Sequence, residues 1–217
     1  MRPFKITGRN IMFTEPMGSA YDLNMGLILG TKRNYLVDTG IGSGSIVPVL
    51  EHLRGDEKPV VVINTHCDWD HIWGNHVFKD GLIIAHTKTR ELIDKHWDEC
   101  VAELADRMDG EVIKCLPNLV FDNKLSFPDD GIEIFYSPGH TIGCISVYDS
   151  VDKVLYAGDN IGDTDDEIIP YINTDNDTFA QLIDLYKQYD FEICISGHNK
   201  PQGKDLIARI EKAFKRS

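Results

Sequence analysis

The segment that most constrains this chain is PVVVIN, Pro59 to Asn64, running without a break into THCDWDHIWGN, Thr65 to Asn75. A short uninterrupted β-branched run is too brief for a buried helix and lacks the alternation of a half-exposed strand. It reads as a strand covered on both faces. The chain must therefore build a sheet with apolar layers above and below it. At the end of that strand it concentrates four titratable side chains in six positions, His66, Asp68, Asp70 and His71.

The same arrangement returns three times. IEIFYSPG runs out into His140, VLYAG into Asp159 and ICISG into His198. Polar groups gather at strand ends in α/β sheets because the loops there sit on a rigid scaffold. Gly139, Gly158 and Gly197 directly precede the three polar residues, and glycine allows the tight or left-handed backbone that turns a side chain back over a sheet edge.

Elsewhere, ITGRNIMFT, LNMGLILG, NYLVDTG, LIIAH, GCISVYD and the run before Asp159 read as strands punctuated by Gly and Asn. SGSIVPVLEHLRG carries helical apolar spacing, Thr87 to Met108 reads as one long charged helix, Asp177 to Tyr189 is amphipathic, and GKDLIARIEKAFKRS closes the chain as a helix. With no repeat, low-complexity tract or linker in evidence, residues 1–217 are expected to form one α/β domain.

In an extended segment, residues i and i+2 point the same way, so His66 and Asp68 can chelate one ion, while Asp70 and His71 beyond a turn can address a second. Imidazole and carboxylate both suit first-row divalent metals. A solvated acidic loop with incidental histidines is the plainer account of the first cluster alone; four strands ending alike argue against it.

These landmarks, taken in order, resemble the metallo-β-lactamase-fold superfamily: VDTG with Asp38, THCDWDH, SPGHT with His140, AGDN with Asp159 and SGHN with His198. The resemblance implies a four-layer αββα sandwich with a dinuclear metal site along one edge. It implies that one ion is held by His66, Asp68 and His140 and the other by Asp70, His71 and His198. Asp159 would bridge the two, and Asp38 would support the site without being a ligand. The superfamily usually has His where this chain has Asp68. An acidic residue there, with the 18 residues between His140 and Asp159, is closer to the lactamase-like domain of flavodiiron proteins.

The carboxylate changes the charge of such a site. Two divalent ions against Asp68, Asp70 and Asp159 leave one positive charge, which a bridging hydroxide cancels. A less positive centre acidifies bound water less and prefers harder, oxygen-loving ions. The expected cofactors are thus two divalent ions per chain, iron and/or zinc, with manganese also admitted.

Around this cluster, Trp69, Trp73, Trp97 and Tyr171 are candidate walls of an apolar substrate pocket, with core packing the alternative. His76 and His86 are candidate outer partners or plain structural residues, and Thr87 to Met108 is either a lid or an ordinary outer helix. The acidic stretch Asp163, Asp165, Asp166, Glu167 reads as a solvated loop. Cys67 should point away from the ligands by strand alternation. Five cysteines without CxxC spacing fit a reducing compartment.

A net charge of −13 argues against nucleic acid as a partner. No apolar run reaches membrane-spanning length and the first residues lack a signal-peptide core. Cytoplasm, a small-molecule substrate, no membrane and an oligomeric state left open, dimer included, are the expectations. Hydrolysis of a small ester, thioester, lactone or related substrate comes first, with a bridging hydroxide as nucleophile oriented by Asp70. A di-iron redox or oxygen-binding protein and a metal-bound sensor without turnover are the alternatives.

Overall fold

A computed structural model describes residues 1–18 and 21–215. Its seven-stranded sheet contains, in spatial order, β1 (Arg2–Lys5), β2 (Asn10–Met17), β3 (Tyr21–Leu29), β4 (Asn34–Val37), β5 (Val60–Ile63), β6 (Leu82–His86) and β7 (Leu119–Phe121). The first four are antiparallel neighbours, and β4 to β7 run parallel. The six-stranded sheet contains β8 (Lys124–Phe127), β9 (Ile132–Tyr136), β10 (Ile145–Asp149), β11 (Val154–Gly158), β12 (Ile193–Ser196) and β13 (Gln202–Gly203), in reverse spatial order. Among the described residues the α-helices are α1 (Ser43–His52), the single turn α2 (Trp69–Ile72), α3 (Thr87–Glu103), α4 (Asn176–Tyr186) and α5 (Asp205–Phe214).

Strand alternation builds the layers. In β5, Val61 and Ile63 face the second sheet, where they meet Ile134, Val147 and Ile195, whereas Val62 faces outward onto Ile46, Val49 and Leu53 at α1. In β11, Val154 and Tyr156 face inward while Leu155 and Ala157 turn to Leu182, Ile183 and Leu206 of α4 and α5. Both faces of both sheets are covered, and the result is the four-layer αββα sandwich.

Several segments differ from the sequence expectation. ITGRNIMFT is the turn and second arm of a hairpin: the backbone N–H groups of Ile6 and Thr7 both bond to the carbonyl of Asn10, folding β1 back onto β2. The helix expected over Thr87 to Met108 ends at Glu103, and residues 105–107 form a separate 3-10 turn. Leu104 leaves helical geometry at φ −117°, and Leu104 and Met108 pack against the same cluster as Trp97. The helix α4 starts earlier than expected because Asp175 caps it, its side chain accepting from the Thr178 N–H at 2.8 Å. The closing helix is described to Phe214; residues 216–217 lie outside the described residues.

Candidate metal centre

The loops that leave the C-terminal ends of β5, β9, β11 and β12 converge at one edge of the sandwich. After β5 the chain stays extended through Asp68 (φ −71°, ψ 148°) and then makes the α2 turn, which carries Asp70 and His71. Of the three glycines before the later residues, Gly158 alone is left-handed, at φ 54°. Gly197 serves by lacking a side chain: a Cβ there would lie 2.1 Å from Asp159 Oδ1 and 2.6 Å from His71 Cε1.

All seven candidate residues come together, in three overlapping groups whose donor atoms lie within 4.8 Å of one another. These are His66, Asp68 and His140; Asp70, His71 and His198; and His66, His71 and Asp159. His140 Nε2 is 3.0 Å and His66 Nε2 3.6 Å from Asp68 Oδ2. His198 Nε2 is 3.0 Å from Asp159 Oδ2 and 3.5 Å from Asp70 Oδ2, and His71 Nε2 is 3.4 Å from Asp159 Oδ1. Donors that share an ion at ~2.0–2.2 Å lie up to ~4.4 Å apart, so these separations suit common ions.

The outer nitrogen of each of the four cluster histidines is already used. His71 Nδ1 donates to Asp38 Oδ2 at 2.8 Å, His140 Nδ1 to the carbonyl of Tyr171 at 2.7 Å, and His198 Nδ1 to the carbonyl of Asp22 at 2.8 Å. His66 Nδ1 lies 3.0 Å from Thr65 Oγ1, whose hydroxyl donates onward to Asp38 Oδ2 at 2.8 Å. Once deprotonated, each Nε2 is thereby left with a lone pair aimed inward. His66 Nε2, His71 Nε2 and Asp159 Oδ1 are buried with no hydrogen-bond partner. Buried polar atoms are rarely left so; three of them facing one another, all Lewis bases, fit divalent cations.

The electrostatics say the same. Burial works to lower the pKa of His66 and His71, yet the surrounding carboxylates override it and hold both well above the ordinary imidazole value. Asp159 and Asp68 act on His66, and Asp159, Asp38 and Asp70 on His71. His198, opposed by burial but facing Asp159, is raised to about 9. Burial would raise Asp159, but His71, His198 and His66 pull it well below the usual carboxylate range. Asp68 is likewise depressed against burial by His66 and His140. The cluster demands positive charge, whether as protons or as metal.

Several supports had no signature in the residue pattern. Thr65 and the carbonyls of Asp22 and Tyr171 are among them. So is Asn160, whose Oδ1 accepts the His140 N–H at 2.9 Å while its amide donates to Ser137 and to the Tyr186 hydroxyl. Tyr21 stacks edge-on against His198 at 4.7 Å.

A cavity of ≈ 220 Å³ opens over the cluster, walled by Tyr21, Trp69, Asp163, Pro170 and Tyr171. Asp163 thus faces the site, and its carboxyl is raised by burial and by Asp159 and Asp70. Its neighbour Asp165 is turned to Lys200 and Gln202. Trp73 is fully buried and, with Trp97, belongs to the apolar cluster under α3. Cys67 packs against that cluster, but its thiol also reaches Asp68 Oδ1 at 3.6 Å, so strand alternation does not turn it clear of the ligands. His86 lies apart, capping α3 through Lys88 N–H, bonding the Asp122 carbonyl and stacking on Tyr136.

The chain matches the family model of the metallo-beta-lactamase superfamily over residues 20–198. It is 24% identical over 217 residues to the acyl-coenzyme A thioesterase MBLAC2 of Homo sapiens, covering 86% of this chain and 76% of that one. It is 32% identical over 157 residues to a probable metallo-hydrolase of Methanocaldococcus jannaschii, covering 69% and 72% respectively. Among solved structures, TMB-1 superposes with a TM-score of 0.79 at 17% identity, covering 99% of this chain and 97% of its own. A metallo-beta-lactamase from Hirschia baltica does so at 0.78 and 17%, covering 98% and 97%. This chain belongs to the metallo-beta-lactamase superfamily, with the metallo-hydrolase type of His/Asp clusters.

Proposed function

We propose that this member of the superfamily is a metal-dependent hydrolase of a small ester or thioester, working with two divalent ions. The observation that carries the reading is the trio of partnerless buried atoms, His66 Nε2, His71 Nε2 and Asp159 Oδ1, in a ring of histidines whose outer nitrogens are all tied down. In this reading His66, Asp68 and His140 would hold one ion and Asp70, His71 and His198 the other, with Asp159, near His66, His71 and His198, available to either. Bound metal would lower the pKa of a water and polarise the substrate carbonyl. Asp70, buried beside His198 Nε2, accepts a hydrogen bond from the attacking water and fixes its lone pair toward the carbonyl. Tyr21 and Tyr171 border the approach.

The thioester option draws support from the acyl-coenzyme A thioesterase among the relatives, and the net charge of −13 supports a small molecule over nucleic acid. Asp68 supports iron or manganese alongside zinc, because a third carboxylate favours harder ions. The test is metal analysis of gently purified protein together with initial rates on an ester and thioester panel. About two ions per chain and turnover that a chelator removes are expected. Less than about one ion per chain, or turnover insensitive to chelation, overturns the reading.

Asp68 also favours a second reading, a di-iron redox or oxygen-binding centre, because its carboxylate sits within 3.0 Å of His140 Nε2. Such a protein would hold iron, absorb visible light and consume oxygen with an added electron donor, while leaving the ester panel untouched.

A further inference from the structure

Beside the cavity over the cluster lies a second, apolar one of ≈ 190 Å³. Its floor and walls are Ile72 and Trp73 from the α2 turn and Leu92, Ile93, Trp97 and Cys100 from α3. On α3 the lining recurs at helical spacing, Leu92, His96 and Cys100 four apart and Ile93 with Trp97, so one stripe of the helix faces the space, and His96 within it is exposed to solvent. Asp68 and Trp69 line both cavities and form the threshold between them. Trp69 is held there by Trp73, with ring centroids 5.1 Å apart, and by the Arg107 guanidinium 6.0 Å from its ring.

We propose that this second cavity is an acyl-chain subsite, which makes the substrate a linear medium-chain acyl ester or thioester; the proposal rests on the hydrolase reading above. An apolar cavity of about 150 Å³ takes up benzene and stays free of water, so ≈ 190 Å³ suits a chain of ~6–8 carbons. The position matters as much as the size. A carbonyl presented to the cluster would extend its chain past Asp68 and Trp69 toward the apolar surface that α2 and α3 offer beside the site. Hydrolysis breaks the acyl C–O or C–S bond, forms a C–O bond to the oxygen of water and passes a proton to the departing alcohol or thiol. No co-reactant is needed. The residues that set chain length are Leu92, at the half-buried side of the cavity, and Trp97, buried at its base.

The experiment compares kcat/KM for p-nitrophenyl esters from acetate to dodecanoate in the metal-loaded protein, in Leu92→Trp and in Trp97→Ala. It is paired with a fluorescence titration using 8-bromo-1-octanol, a neutral non-hydrolysable chain whose bromine quenches indole emission, with reversal on dilution showing that Cys67 and Cys100 in the lining have not been alkylated. Wild type should gain ~3–4-fold per methylene and stop gaining near the length the cavity holds. Leu92→Trp should move that break to shorter chains and Trp97→Ala to longer ones, each read as the octanoate-to-acetate ratio. Quenching should saturate in wild type and weaken in Leu92→Trp. If Trp97→Ala does not fold, as its thermal melt will show, Leu92→Trp carries the test. Turnover with no dependence on chain length, or a break that the folded variants do not move, overturns the subsite while the hydrolase reading stands. Saturable quenching with no turnover of any ester or thioester sinks the hydrolase reading instead. An absence of saturable quenching rejects the subsite whatever the rates.

Discussion

Asp38 accepts the Nδ1 proton of His71 at 2.8 Å from a backbone held at φ 64°, a conformation that few non-glycine residues adopt. The same carboxylate takes the N–H of Thr65 at 2.7 Å and its hydroxyl at 2.8 Å. One strained residue outside the cluster therefore fixes the orientation of His71 directly and of His66 through Thr65. Its family role as a support is visible here as specific hydrogen bonds.

Asp38→Asn should keep the left-handed backbone, which asparagine tolerates, but an amide cannot accept all three protons. We expect metal affinity to fall ~10–100-fold with little change in the thermal melt of the metal-free protein. Chelator competition measures the first quantity, and an unchanged affinity would remove Asp38 from the site's support.

Asp159→Ala and His71→Ala should each abolish turnover while leaving the circular dichroism spectrum intact. Asp159 lies within 3.5 Å of His66, His71 and His198 together, so its loss should deplete more metal than the loss of any single histidine. Full metal occupancy with retained activity in either variant contradicts the assignment.

Asp68→His adds one unit of positive charge beside His66 and His140. For a hydrolase, bound water should then ionise at lower pH, and rates near neutrality should hold or rise. For a di-iron redox centre, iron should bind less well relative to zinc and oxygen-linked activity should fall. Metal content and the pH–rate profile of both proteins separate these cases. If neither quantity changes, Asp68 is not a ligand.

Metal uptake should be linked to protons. In the metal-free protein the carboxylates raise His198 to about 9 and hold His66 and His71 well above the ordinary value. The stability that the raised His198 adds to the fold is complete below about 6.5 and is lost as pH climbs through about 9. The metal-free melt should therefore weaken over that window. Metal must displace these protons, so its apparent affinity should rise across the same window. Calorimetric titration of metal at pH 7 in two buffers of different ionisation enthalpy should show net proton release; none would mean the imidazoles enter binding already neutral.

The layered architecture was legible in the residue pattern because burial on both faces leaves a mark on composition. PVVVIN, LIIAH and VLYAG are apolar at successive positions, and both of their faces are indeed covered. Short elements escaped. LVF and KLSF, now β7 and β8, offer three and four residues each, too few to show a period. The end of α3 was misread because the chain beyond Glu103 keeps the composition of a helix while Leu104 and Met108 turn to pack on Trp97 and its neighbours.

The residue types at the strand ends, and so the chemistry open to the cluster, are legible in the letters alone: four imidazoles and three carboxylates after four apolar strands. Side-chain identity and spacing along a strand are local properties, and they survive in a string of letters. How those groups are aimed depends on contacts between segments far apart in the chain. The Nδ1 anchors of His140 and His198 are backbone carbonyls of Tyr171 and Asp22, and a carbonyl is the same whatever the residue that bears it. The apolar cavity behind Trp69 joins residues 72 and 73 to a helix some twenty residues further on. Its volume depends on how closely α3 approaches the α2 turn, a distance set by packing across the whole layer.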